Sequence, residues 1–545
     1  MKDDPIDLRF PGWVRNFSLI LLSSLLLVLS FPNFGLGFLA WLALLPLLLA
    51  LSHKSPSHGF LLSLTCGILF FAGFFYWILE VSGYTLLHHA LLAVYLGPYW
   101  GCFGLAFTFI SRYWNISAAL SVAPFIWVSL EYIRSNFSFL ALPLALLAHS
   151  QYQYPSVIQI ASLAGTYSIS FLIVMVNSAL ASLFFEWQRS LLSRPSEIPS
   201  TLPLPALGGL KRSRGGVILV MTTASFIIFA LIYGHIIISK PITGKVIRVS
   251  LIQGNIEQTK KWNSKYAREI MEIYTDLTLQ ASKDRPDMII WPETATPGSI
   301  SLNPSLRTEI RDIVIKLGTP LLLGSAQHQK FDAKESVEFK YLNSAYCIQP
   351  EQVEVMNQRY DKVRLFPFGE YLPYQRVIPW SLLNIRESVN YAAGEEFTIF
   401  KLHDFRFGVT ICWENVFPDL FRQFVRKGAQ FIVNMTNEAR FGKTAAPYQL
   451  AYISVFRAVE NRIFVIRCAN TGVSCIIDPY GRILDSVKDE KGQELFVRGR
   501  MNGCVIPLES NTIYTQYGDY LAWISMVVSL GVITNAGRRK RQTLT

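Results

Sequence analysis

Three stretches in the second half of the chain each place a chemically active side chain beside an apolar run. The run from Ile289 to Pro292 ends at Glu293, and the run from Gly408 to Ile411 ends at Cys412. Between them lies Lys362, ahead of a turn-rich apolar segment. A thiol acts as a nucleophile when a base removes its proton and a nearby cation stabilises its anion. Glutamate, lysine and cysteine can supply these roles, so the pattern indicates acyl transfer through a covalent thioester.

The role of each residue follows from its side-chain chemistry. Glu293 is expected to accept the thiol proton and later to return a proton to a leaving group. Lys362 is expected to favour the thiolate and to stabilise the oxyanion of a tetrahedral intermediate. Cys412 is expected to carry the acyl group. Taken singly, each residue has an ordinary interpretation, because a cysteine at a strand end is commonly a small core residue and isolated charged side chains are usually solvated.

Other kinds of reactive site have no signature in the sequence. The seven cysteines include no C-x-x-C pair and the histidines form no H-E-x-x-H motif, so no metal site is expected. Neither a G-x-x-x-x-G-K-[ST] loop nor a G-x-S-x-G elbow occurs, which argues against an ATP site and against a serine lipase. We therefore expect no cofactor. The four cysteines after residue 240 other than Cys412 could be free or could form up to two disulfides, and Cys468 and Cys475 flank a turn-like segment.

The elements around the reactive residues predict an α/β domain over residues 240–518. Strands that alternate with helices form layers of helix on sheet, and the active sites of such folds gather at strand ends. The sequence predicts strands at 246–252, 287–291, 320–324, 407–412, 431–435, 463–469 and 474–478, and helices at 262–282, 306–316 and 447–461.

The rest of the chain is strongly apolar. The whole sequence is 51% hydrophobic and 16% charged, with a mean hydropathy of +0.31, which is typical of a protein partly dissolved in lipid. We therefore predict a multi-span α-helical membrane bundle of about eight spans: residues 1–239 with seven spans, and residues 519–545 with the last span and a basic tail. The runs of spanning length lie at about 17–31, 35–52, 60–80, 88–111, 117–134, 158–184, 216–238 and 519–536.

The positions of the basic residues predict an orientation. A formal net charge of +12 could indicate nucleic-acid binding, but Lys and Arg also accumulate in the cytoplasmic loops of membrane proteins. With eight spans, Lys54, Arg112, the basic residues of 189–214 and the tail 538–541 all fall on one side, whereas the loop at 80–84 has no basic residue. Both termini are therefore expected in the cytoplasm, the α/β domain outside, and no nucleic acid as a partner.

The spelling and order of the motifs resemble one superfamily. W-P-E-T at 291–294, F-P-F-G-E-Y at 366–371 and C-W-E at 412–414 are similar to motifs of the nitrilase superfamily. Together with the multi-span part, they resemble the membrane-embedded apolipoprotein N-acyltransferase family. The resemblance covers nearly the whole chain and implies a nitrilase-like α-β-β-α sandwich as the catalytic domain.

This resemblance also implies the substrates and the location. The acyl donor would be a membrane phospholipid. The acceptor would be the N-terminal amine of a diacylglyceryl-cysteine apolipoprotein, which is N-acylated in the last step of lipoprotein maturation. The enzyme would be a multi-pass protein of the bacterial inner membrane, with its catalytic domain on the periplasmic side. Ping-pong turnover would follow, because Cys412 must be acylated by the donor before the acceptor amine can attack.

Particular residues match the family's functional positions. The catalytic triad falls on Glu293, Lys362 and Cys412, and the supporting glutamates fall on Glu370 and Glu414. The residues assigned to substrate binding are Trp262, Trp413 and Phe441.

The chain departs from the family pattern at two places. The family usually has a tryptophan where this chain has Arg440, immediately before Phe441. The family's G-F-P-W stretch is altered at 139–143. Both differences concern contacts with the lid and with lipid rather than the triad.

Three other functions are compatible with parts of the pattern. The nearest is a membrane-anchored nitrilase-type amidohydrolase, in which water replaces the amine. A transporter with a soluble appendage would carry paired ionisable residues within its spans, whereas Glu131 and Arg134 lie near a span end. A non-catalytic scaffold would not need an intact triad. The apolar stretch 377–383 is predicted to be a mobile arm that touches lipid, with a core-packed loop as the alternative.

Overall fold

The computed structural model describes residues 11–192, 214–333, 336–351, 358–375, 377–383 and 391–542. The chain begins as a bundle of apolar helices, several of them joined by short 3-10 turns. After the α/β domain, a last long helix, Tyr520–Gln542, packs back onto this bundle. The helices before the domain are α1 (Gly12–Ser30), α2 (Ala40–Ala43), α3 (Leu45–Leu51), α4 (Pro56–Phe74), α5 (Leu86–Tyr113), α6 (Ile116–Asn136), α7 (Pro155–Ile158), α8 (Ala161–Ala164), α9 (Tyr167–Leu192) and α10 (Arg214–Ile238).

The number of spans differs slightly from the expected eight. Among the described residues, seven helices are long and apolar enough to cross a membrane: α1, α4, α5, α6, α9, α10 and the last helix. The predicted span at 35–52 is instead the short apolar segment Gly37–Leu51, which is broken between α2 and α3. The predicted span at 158–184 is divided at Gly165, whose φ of +73° ends α8 before α9 begins.

The short segment Gly37–Leu51 nevertheless reverses the direction of the chain. The side-chain amide of Gln449, in the α/β domain, donates hydrogen bonds to the backbone carbonyls of Pro32 and Phe74. These two carbonyls lie at the C-terminal ends of α1 and α4, so both helices run towards the domain. The chain must therefore return between them through Gly37–Leu51, as the eight-span prediction requires of its second leg.

Glycines set the distance between α4 and α5. A Cβ atom added to Gly104 would overlap the backbone carbonyl of Gly59 and the side chain of Ser63, and one added to Gly67 would lie 2.8 Å from the Cβ of Trp100. Small residues let helix backbones in a membrane approach closely and make extensive van der Waals contact. The loop that joins this helix pair, 75–85, lies at the end nearest the α/β domain.

The α/β domain contains two six-stranded sheets. The first has the strand order β12-β1-β2-β3-β4-β5, and the second has the order β11-β10-β9-β8-β7-β6. Parallel pairs, β1–β2–β3 and β7–β8–β9, form the middle of each sheet, and antiparallel strands form its edges. The strands are β1 (Ile247–Gln253), β2 (Met288–Ile290), β3 (Leu321–Ala333), β4 (Ser336–Ile348), β5 (Arg359–Asp361), β6 (Ile399–Leu402), β7 (Phe405–Ile411), β8 (Phe431–Thr436), β9 (Phe464–Ala469), β10 (Cys475–Ile477), β11 (Ile483–Ser486) and β12 (Gly499–Val505).

Helices cover the outer faces of the two sheets, and the inner faces meet. The thiol of Cys468, on β9, lies 3.3 Å from the carbonyl oxygen of Ile290, on β2, so the sheets are in contact there. Helices α12 and α13 share a core with the first sheet, and α14 and α15 pack on the second. This is the predicted α-β-β-α sandwich. Its helices, followed by the last helix, are α11 (Gln258–Lys261), α12 (Ala267–Ser282), α13 (Pro304–Leu317), α14 (Pro418–Arg426), α15 (Ala446–Asn461), α16 (Ile513–Tyr517) and α17 (Tyr520–Gln542).

Two predicted boundaries are wrong for local reasons. The helix predicted from residue 262 begins only at Ala267, because the side chain of Asn263 accepts a hydrogen bond from the amide of Lys265 and starts a separate turn. The strand predicted at 320–324 continues to Ala333 as one arm of a long hairpin. Its outer half is polar, so apolar patterning did not reveal it.

Candidate active site

Cys412 lies where β7 ends and a 3-10 turn, Cys412–Val416, begins. Its φ of +57° is in the left-handed region, which non-glycine residues seldom occupy. Such strain is characteristic of turns that present a functional side chain. The side chain of Asn434, on the adjacent β8, donates to the backbone carbonyl of Cys412 at 3.2 Å and holds this turn. The half-buried cysteine is therefore held at the end of a parallel strand.

The surroundings of Cys412 favour the protonated thiol. Burial and, to a smaller extent, the carboxylate of Glu293 together raise the pKa of Cys412 to about 12, although the charge of Lys362 opposes the increase. A thiol with such a pKa is a weak nucleophile at neutral pH unless a base removes its proton during attack. Because the pKa of Cys412 depends on the charges of Glu293 and Lys362, both residues lie within electrostatic range of the sulfur.

Lys362 is a fully buried cation held by Glu370. Its ammonium nitrogen donates to Oε1 of Glu370 at 2.8 Å, and Oε2 of Glu370 accepts from the backbone amide of Phe366 at 2.7 Å. Burial alone would lower the pKa of Lys362, but Glu370, Cys412 and Glu293 together raise it above its ordinary value. Lys362 therefore stays positively charged throughout the physiological pH range.

Asn343 connects the two carboxylates of the site. Its side-chain amide, on β4, donates to Oε1 of Glu293 at 2.7 Å and reaches Oε1 of Glu370 at 3.4 Å. Its backbone carbonyl accepts from the amide of Lys362 at 2.9 Å. The sequence analysis missed Asn343, because a polar residue within a strand gives no signal of its own until the strand partners are known.

A second buried lysine lies beside Glu293. The ammonium group of Lys261 donates to the backbone carbonyl of Glu293 at 2.9 Å. Burial lowers the pKa of Lys261 to about 8, and the charges of Glu293 and Cys412 counteract part of this effect. The sequence analysis did not assign Lys261 to the site, since a Lys-Lys pair in a polar turn normally indicates solvated side chains.

Glu414 fastens the lysine segment to the cysteine turn. Its carboxylate accepts from the hydroxyl of Tyr360 at 3.0 Å, from the amides of Val363 and Arg364 at 2.8 and 2.9 Å, and from the amide of Ile411 at 2.8 Å. Burial raises the pKa of Glu414 to about 7, while Lys362 and the backbone donors oppose the increase. These bonds hold the segment that follows Lys362 against the end of the strand that precedes Cys412. Glu414 therefore fixes the positions of the lysine and the cysteine relative to each other.

The three aromatic residues predicted to bind substrate lie in different places. The indole of Trp413 donates to the carbonyl of Arg364 at 2.8 Å and lines a cavity beside the site. The ring of Phe441 meets the ring of Trp77, from the membrane part, edge to face at 5.3 Å. Trp262 is 53% exposed and is next to the buried Lys261. The structure thus brings Trp413 to the cavity and leaves Trp262 outside the cavity lining, at the surface next to Lys261.

This cavity lies between the membrane part and the catalytic domain. It has a volume of about 360 Å³. Its apolar walls suit the acyl chains of a lipid molecule, and its cationic group suits an anionic headgroup. The membrane part contributes Asn136, Phe139 and Ala141, and the domain contributes Val363, Arg364, Leu365, Pro367, Tyr371, Ala393, Trp413 and Phe417. The altered stretch 139–143 therefore forms part of its wall.

Helix α15 anchors the catalytic domain on the membrane bundle. The carboxylate of Glu460 accepts from the backbone amide of Thr166 at 3.0 Å and forms a buried ion pair with Arg457. Near the middle of α15, Tyr452 stacks on Tyr152 with ring centroids 4.0 Å apart. Buried polar contacts of this kind fix the relative orientation of the two parts.

The segment 377–383 exposes apolar side chains beside the site. Val377 is 79% exposed and Leu382 is 82% exposed. The ring of Trp380 packs on Phe368, and its indole donates to the carbonyl of Pro373 at 2.6 Å. This exposure rules out the alternative of a core-packed loop for these two side chains, while the mobility of the predicted arm stays a prediction.

The remaining cysteines and acidic residues show no disulfide and no metal site among the described residues. All seven cysteines are free thiols, so Cys468 and Cys475 form no disulfide here. Within the described ranges, no group of three or more His, Cys, Asp and Glu side chains is arranged to hold a metal ion. The assembled groups are a thiol, buried carboxylates and buried ammonium groups, which are suited to acyl transfer without an external cofactor.

Comparison with known proteins gives agreement over almost the whole chain. The model of the apolipoprotein N-acyltransferase N-terminal domain matches residues 23–179, and that of the carbon-nitrogen hydrolases matches residues 248–498. The apolipoprotein N-acyltransferase of Geobacter metallireducens is 34% identical over 534 residues, covering 96% of each chain. That of Chlorobaculum tepidum is 29% identical over 558 residues, covering 97% of each. A solved Nesterenkonia amidase of the nitrilase superfamily is 18% identical, covering 52% of this chain and 94% of its own, with a TM-score of 0.35.

Proposed function

This chain belongs to the apolipoprotein N-acyltransferase family, and we propose that Cys412 carries the fatty acyl group between two lipid substrates as a thioester. The chain N-acylates apolipoproteins, since its likeness to enzymes of that name extends over 96% of its length and includes the membrane part. A membrane-anchored amidohydrolase, the alternative derived from the sequence, is not favoured, because a hydrolase that uses water would not need a matching membrane part.

The first half-reaction transfers an acyl chain from a phospholipid to Cys412. Glu293 removes the thiol proton as the sulfur attacks the ester carbonyl, and a carbon–sulfur bond forms. The carbon–oxygen bond of the ester then breaks, and Glu293 returns the proton to the departing lysophospholipid oxygen. The support for Glu293 as base is its buried carboxylate, oriented by Asn343 at 2.7 Å and electrostatically coupled to the sulfur.

The second half-reaction transfers the acyl chain to nitrogen. The neutral α-amine of diacylglyceryl-cysteine attacks the thioester, a carbon–nitrogen bond forms and the carbon–sulfur bond breaks. Glu293 takes one amine proton and passes it to the sulfur of Cys412, which regenerates the thiol. The energy of the original ester is kept in the thioester, so no nucleotide is consumed.

Lys362 stabilises the negative charge that develops in both half-reactions. A tetrahedral intermediate carries an oxyanion, and a fixed cation in a site of low dielectric stabilises it more than water would. Glu370 holds the ammonium group at 2.8 Å and keeps it charged. Glu370 and Glu414 are thus positioning residues, because Glu370 binds Lys362 and Glu414 accepts from the amides of Val363, next to Lys362, and Ile411, next to Cys412.

The membrane part delivers both substrates along the plane of the bilayer. We place both termini in the cytoplasm and the catalytic domain on the periplasmic side of the inner membrane, since Lys54 precedes α4, Arg112 lies in the last turn of α5 and Arg539 lies over Trp114, all at the helix ends away from the domain. The cavity beside Trp413 would receive acyl chains. Phe441 and Trp77, at the junction of the domain and the membrane part, would border the path of the lipid, and the exposed Trp262 would contact substrate. The exposed Val377 and Leu382 would touch lipid.

The observation that carries this mechanism is the largely buried network in which Asn343 joins Glu293 to Glu370 and Glu370 holds Lys362, beside a cysteine whose φ is +57°. The test is the intact mass of the full-length protein after incubation with phospholipid. We expect a fatty-acyl increment on wild type and on Cys504→Ala, which removes an exposed thiol, but none on Cys412→Ala. A diacylglyceryl-cysteine peptide should discharge the increment as an N-acyl product.

Two outcomes would contradict the proposal. An active wild-type enzyme that never gains acyl mass would refute the covalent intermediate. An increment that water discharges as fast as the peptide does would indicate a hydrolase instead.

A further inference from the structure

A short turn after β8 carries Arg440 to the boundary between the catalytic domain and the membrane part. The turn spans Ala439–Phe441, and its residues are held on both sides. On one side, Glu438 has a φ of +59° and forms a buried ion pair with Arg467. On the other side, the ring of Phe441 packs against Trp77. The side chain of Arg440 between these anchors is exposed.

Arg440 lies close to the loop that holds Lys362. A Cβ atom built on Gly369, the residue before Glu370, would be 3.4 Å from Nη1 of Arg440. Burial raises the pKa of Tyr391, Glu370 and Glu293 raise it further, and Lys362 and Arg440 oppose them. The phenol of Tyr391 therefore senses the guanidinium together with three charged residues of the site.

The turn that carries Arg440 also contacts the membrane part, since Phe441 meets Trp77 there. Burial raises the pKa of Tyr84, in the loop between α4 and α5, and the charge of Arg440 lowers it. Arg440 is thus located between the reacting groups and a loop at the end of two membrane helices. This is the level at which the headgroup of a bilayer lipid would lie when its ester reaches Cys412.

The charge of Arg440 is not neutralised by the described part of the chain. No carboxylate there lies within ion-pairing distance of it, whereas Arg364 pairs with Asp419 and Arg467 pairs with Glu438. A guanidinium has five donors in a planar fork that matches two oxygens of a phosphate. An exposed arginine with unused donors at this position fits an anionic oxygen ligand.

We infer that Arg440 binds the phosphodiester of the phospholipid acyl donor. The inference rests on the proposed function, in which a glycerophospholipid ester reacts with Cys412. Only the glycerol backbone separates that ester from the phosphate, so the phosphate must lie within the length of one glycerol unit from the reacting ester. The tryptophan usual in this family has a single donor and no charge, so it could not bind a phosphate in the way that Arg440 can.

The inference separates the two half-reactions. The donor has a phosphate, whereas the diacylglyceryl-cysteine acceptor joins its glycerol to a thioether and has none. Arg440 therefore accelerates acylation of Cys412 and leaves transfer to the amine unchanged. A residue that only stabilised the fold would affect both steps and every donor alike.

The experiment measures the rate of acyl-enzyme formation by intact mass in full-length protein. Phosphatidylglycerol is compared with a diacylglycerol of the same acyl chains, in wild type, Arg440→Gln and Arg440→Lys. The matched control is Lys443→Gln, which removes another exposed cation of the same loop. Charge-assisted hydrogen bonds to a phosphate correspond to a rate preference of about tenfold to a hundredfold.

The expected result is a phospholipid preference in wild type and Lys443→Gln that Arg440→Gln abolishes and Arg440→Lys partly keeps. Acyl-enzyme that has already formed should be discharged by the acceptor peptide at the same rate in all four proteins. Equal rates for both donors in wild type, or an equal loss in Lys443→Gln, would overturn the inference. So would loss of the discharge step in Arg440→Gln, because that result would indicate a structural role.

Two further arms identify the source of the phosphate and separate this inference from the proposed function. Added inorganic phosphate should compete only weakly; strong, Arg440-dependent inhibition of both donors would indicate a site for free phosphate and overturn the assignment to lipid. If wild type forms no acyl-enzyme with any donor, the proposed function fails. If wild type forms acyl-enzyme and Arg440→Gln forms it as fast as wild type does with each donor, only this inference fails.

Discussion

The ammonium nitrogen of Lys261 lies 2.9 Å from the backbone carbonyl oxygen of Glu293, and both residues are buried. This contact orders the peptide that presents the proposed base and adds a second positive charge near Cys412. Replacing Lys261 with Met should slow acylation by about tenfold to a hundredfold, the range for removal of a charged hydrogen-bond donor. Acyl-enzyme formation by intact mass provides the measurement.

The matched variant Lys261→Arg keeps the charge and a donor, so it should retain more activity than Lys261→Met. Alkylation of Cys412 by iodoacetamide supplies a readout that does not require lipid. It should slow in Lys261→Met, since loss of the nearby cation raises the pKa of the thiol further. Equal alkylation rates in wild type and Lys261→Met would mean that the lysine has no electrostatic effect on the sulfur.

The sequence predicted the residues that terminate apolar runs and missed those defined only by tertiary contacts. Glu293 and Cys412 could be found because each follows a buried strand and carries reactive chemistry. Asn343 and Lys261 could not, since one lies within a strand and the other in a polar turn. Their roles arise only when the sheet brings them to Glu293.

The same limit explains the membrane part. Apolarity identified each long helix, but not the break within Gly37–Leu51 or the division at Gly165. At Gly165, a side chain would collide with the ring of Tyr514, from the far end of the chain. That contact joins residues almost 350 positions apart in the sequence, so no local pattern could reveal it.

The buried carboxylate of Glu414 should make the stability of the domain depend on pH. Its pKa is raised from 4.5 to about 7 in the folded protein, so between these values the folded state holds a proton that the unfolded state has lost. The unfolding free energy should therefore decrease as the pH rises from about 4.5 to about 7. We expect Glu414→Gln to show a smaller decrease, measured from thermal midpoints across this range.

An exposed carboxylate provides the control for this pH effect. Glu272, on α12, is paired at the surface with Arg268, so Glu272→Gln should keep the wild-type pH dependence. At pH 7, Glu414→Gln should also be less stable by about 1–3 kcal/mol, because the amide cannot accept all the hydrogen bonds of the carboxylate. An unchanged slope in Glu414→Gln would show that other groups cause the pH dependence.

The left-handed conformation of Cys412 predicts an unusual order of stability among its variants. Ordinarily glycine destabilises a folded segment relative to alanine by roughly 0.5–1 kcal/mol. At a φ of +57°, alanine bears a steric cost of about 1–2 kcal/mol that glycine avoids. Cys412→Gly should therefore be at least as stable as Cys412→Ala, as judged by thermal midpoints, although neither should form acyl-enzyme.

Cys475 offers the matched comparison for that order. Cys475 is a fully buried cysteine, whereas Cys412 is half-buried, and Cys475 lies in the extended strand β10. Cys475→Gly should be less stable than Cys475→Ala by about 1 kcal/mol. If alanine were preferred at both positions by the same amount, the strained turn at the nucleophile would be refuted.

The close approach of α4 and α5 predicts that Gly104 tolerates no side chain. A methyl group there would overlap the backbone carbonyl of Gly59 and the side chain of Ser63, which cannot move without separating the helices. Gly104→Ala should therefore lower the stability of the detergent-solubilised protein by about 1–3 kcal/mol, the usual cost of overpacking. Gly531→Ala, in α17, is the control because its added methyl meets no atom within 4 Å.

The loop between α4 and α5 carries Trp77 against Phe441, so Gly104→Ala should also reduce acylation of Cys412. Gly531→Ala should reduce neither the stability nor the rate of acylation. Equal thermal midpoints for the two variants would contradict this prediction, because they would mean that α4 and α5 leave room for a methyl group at residue 104.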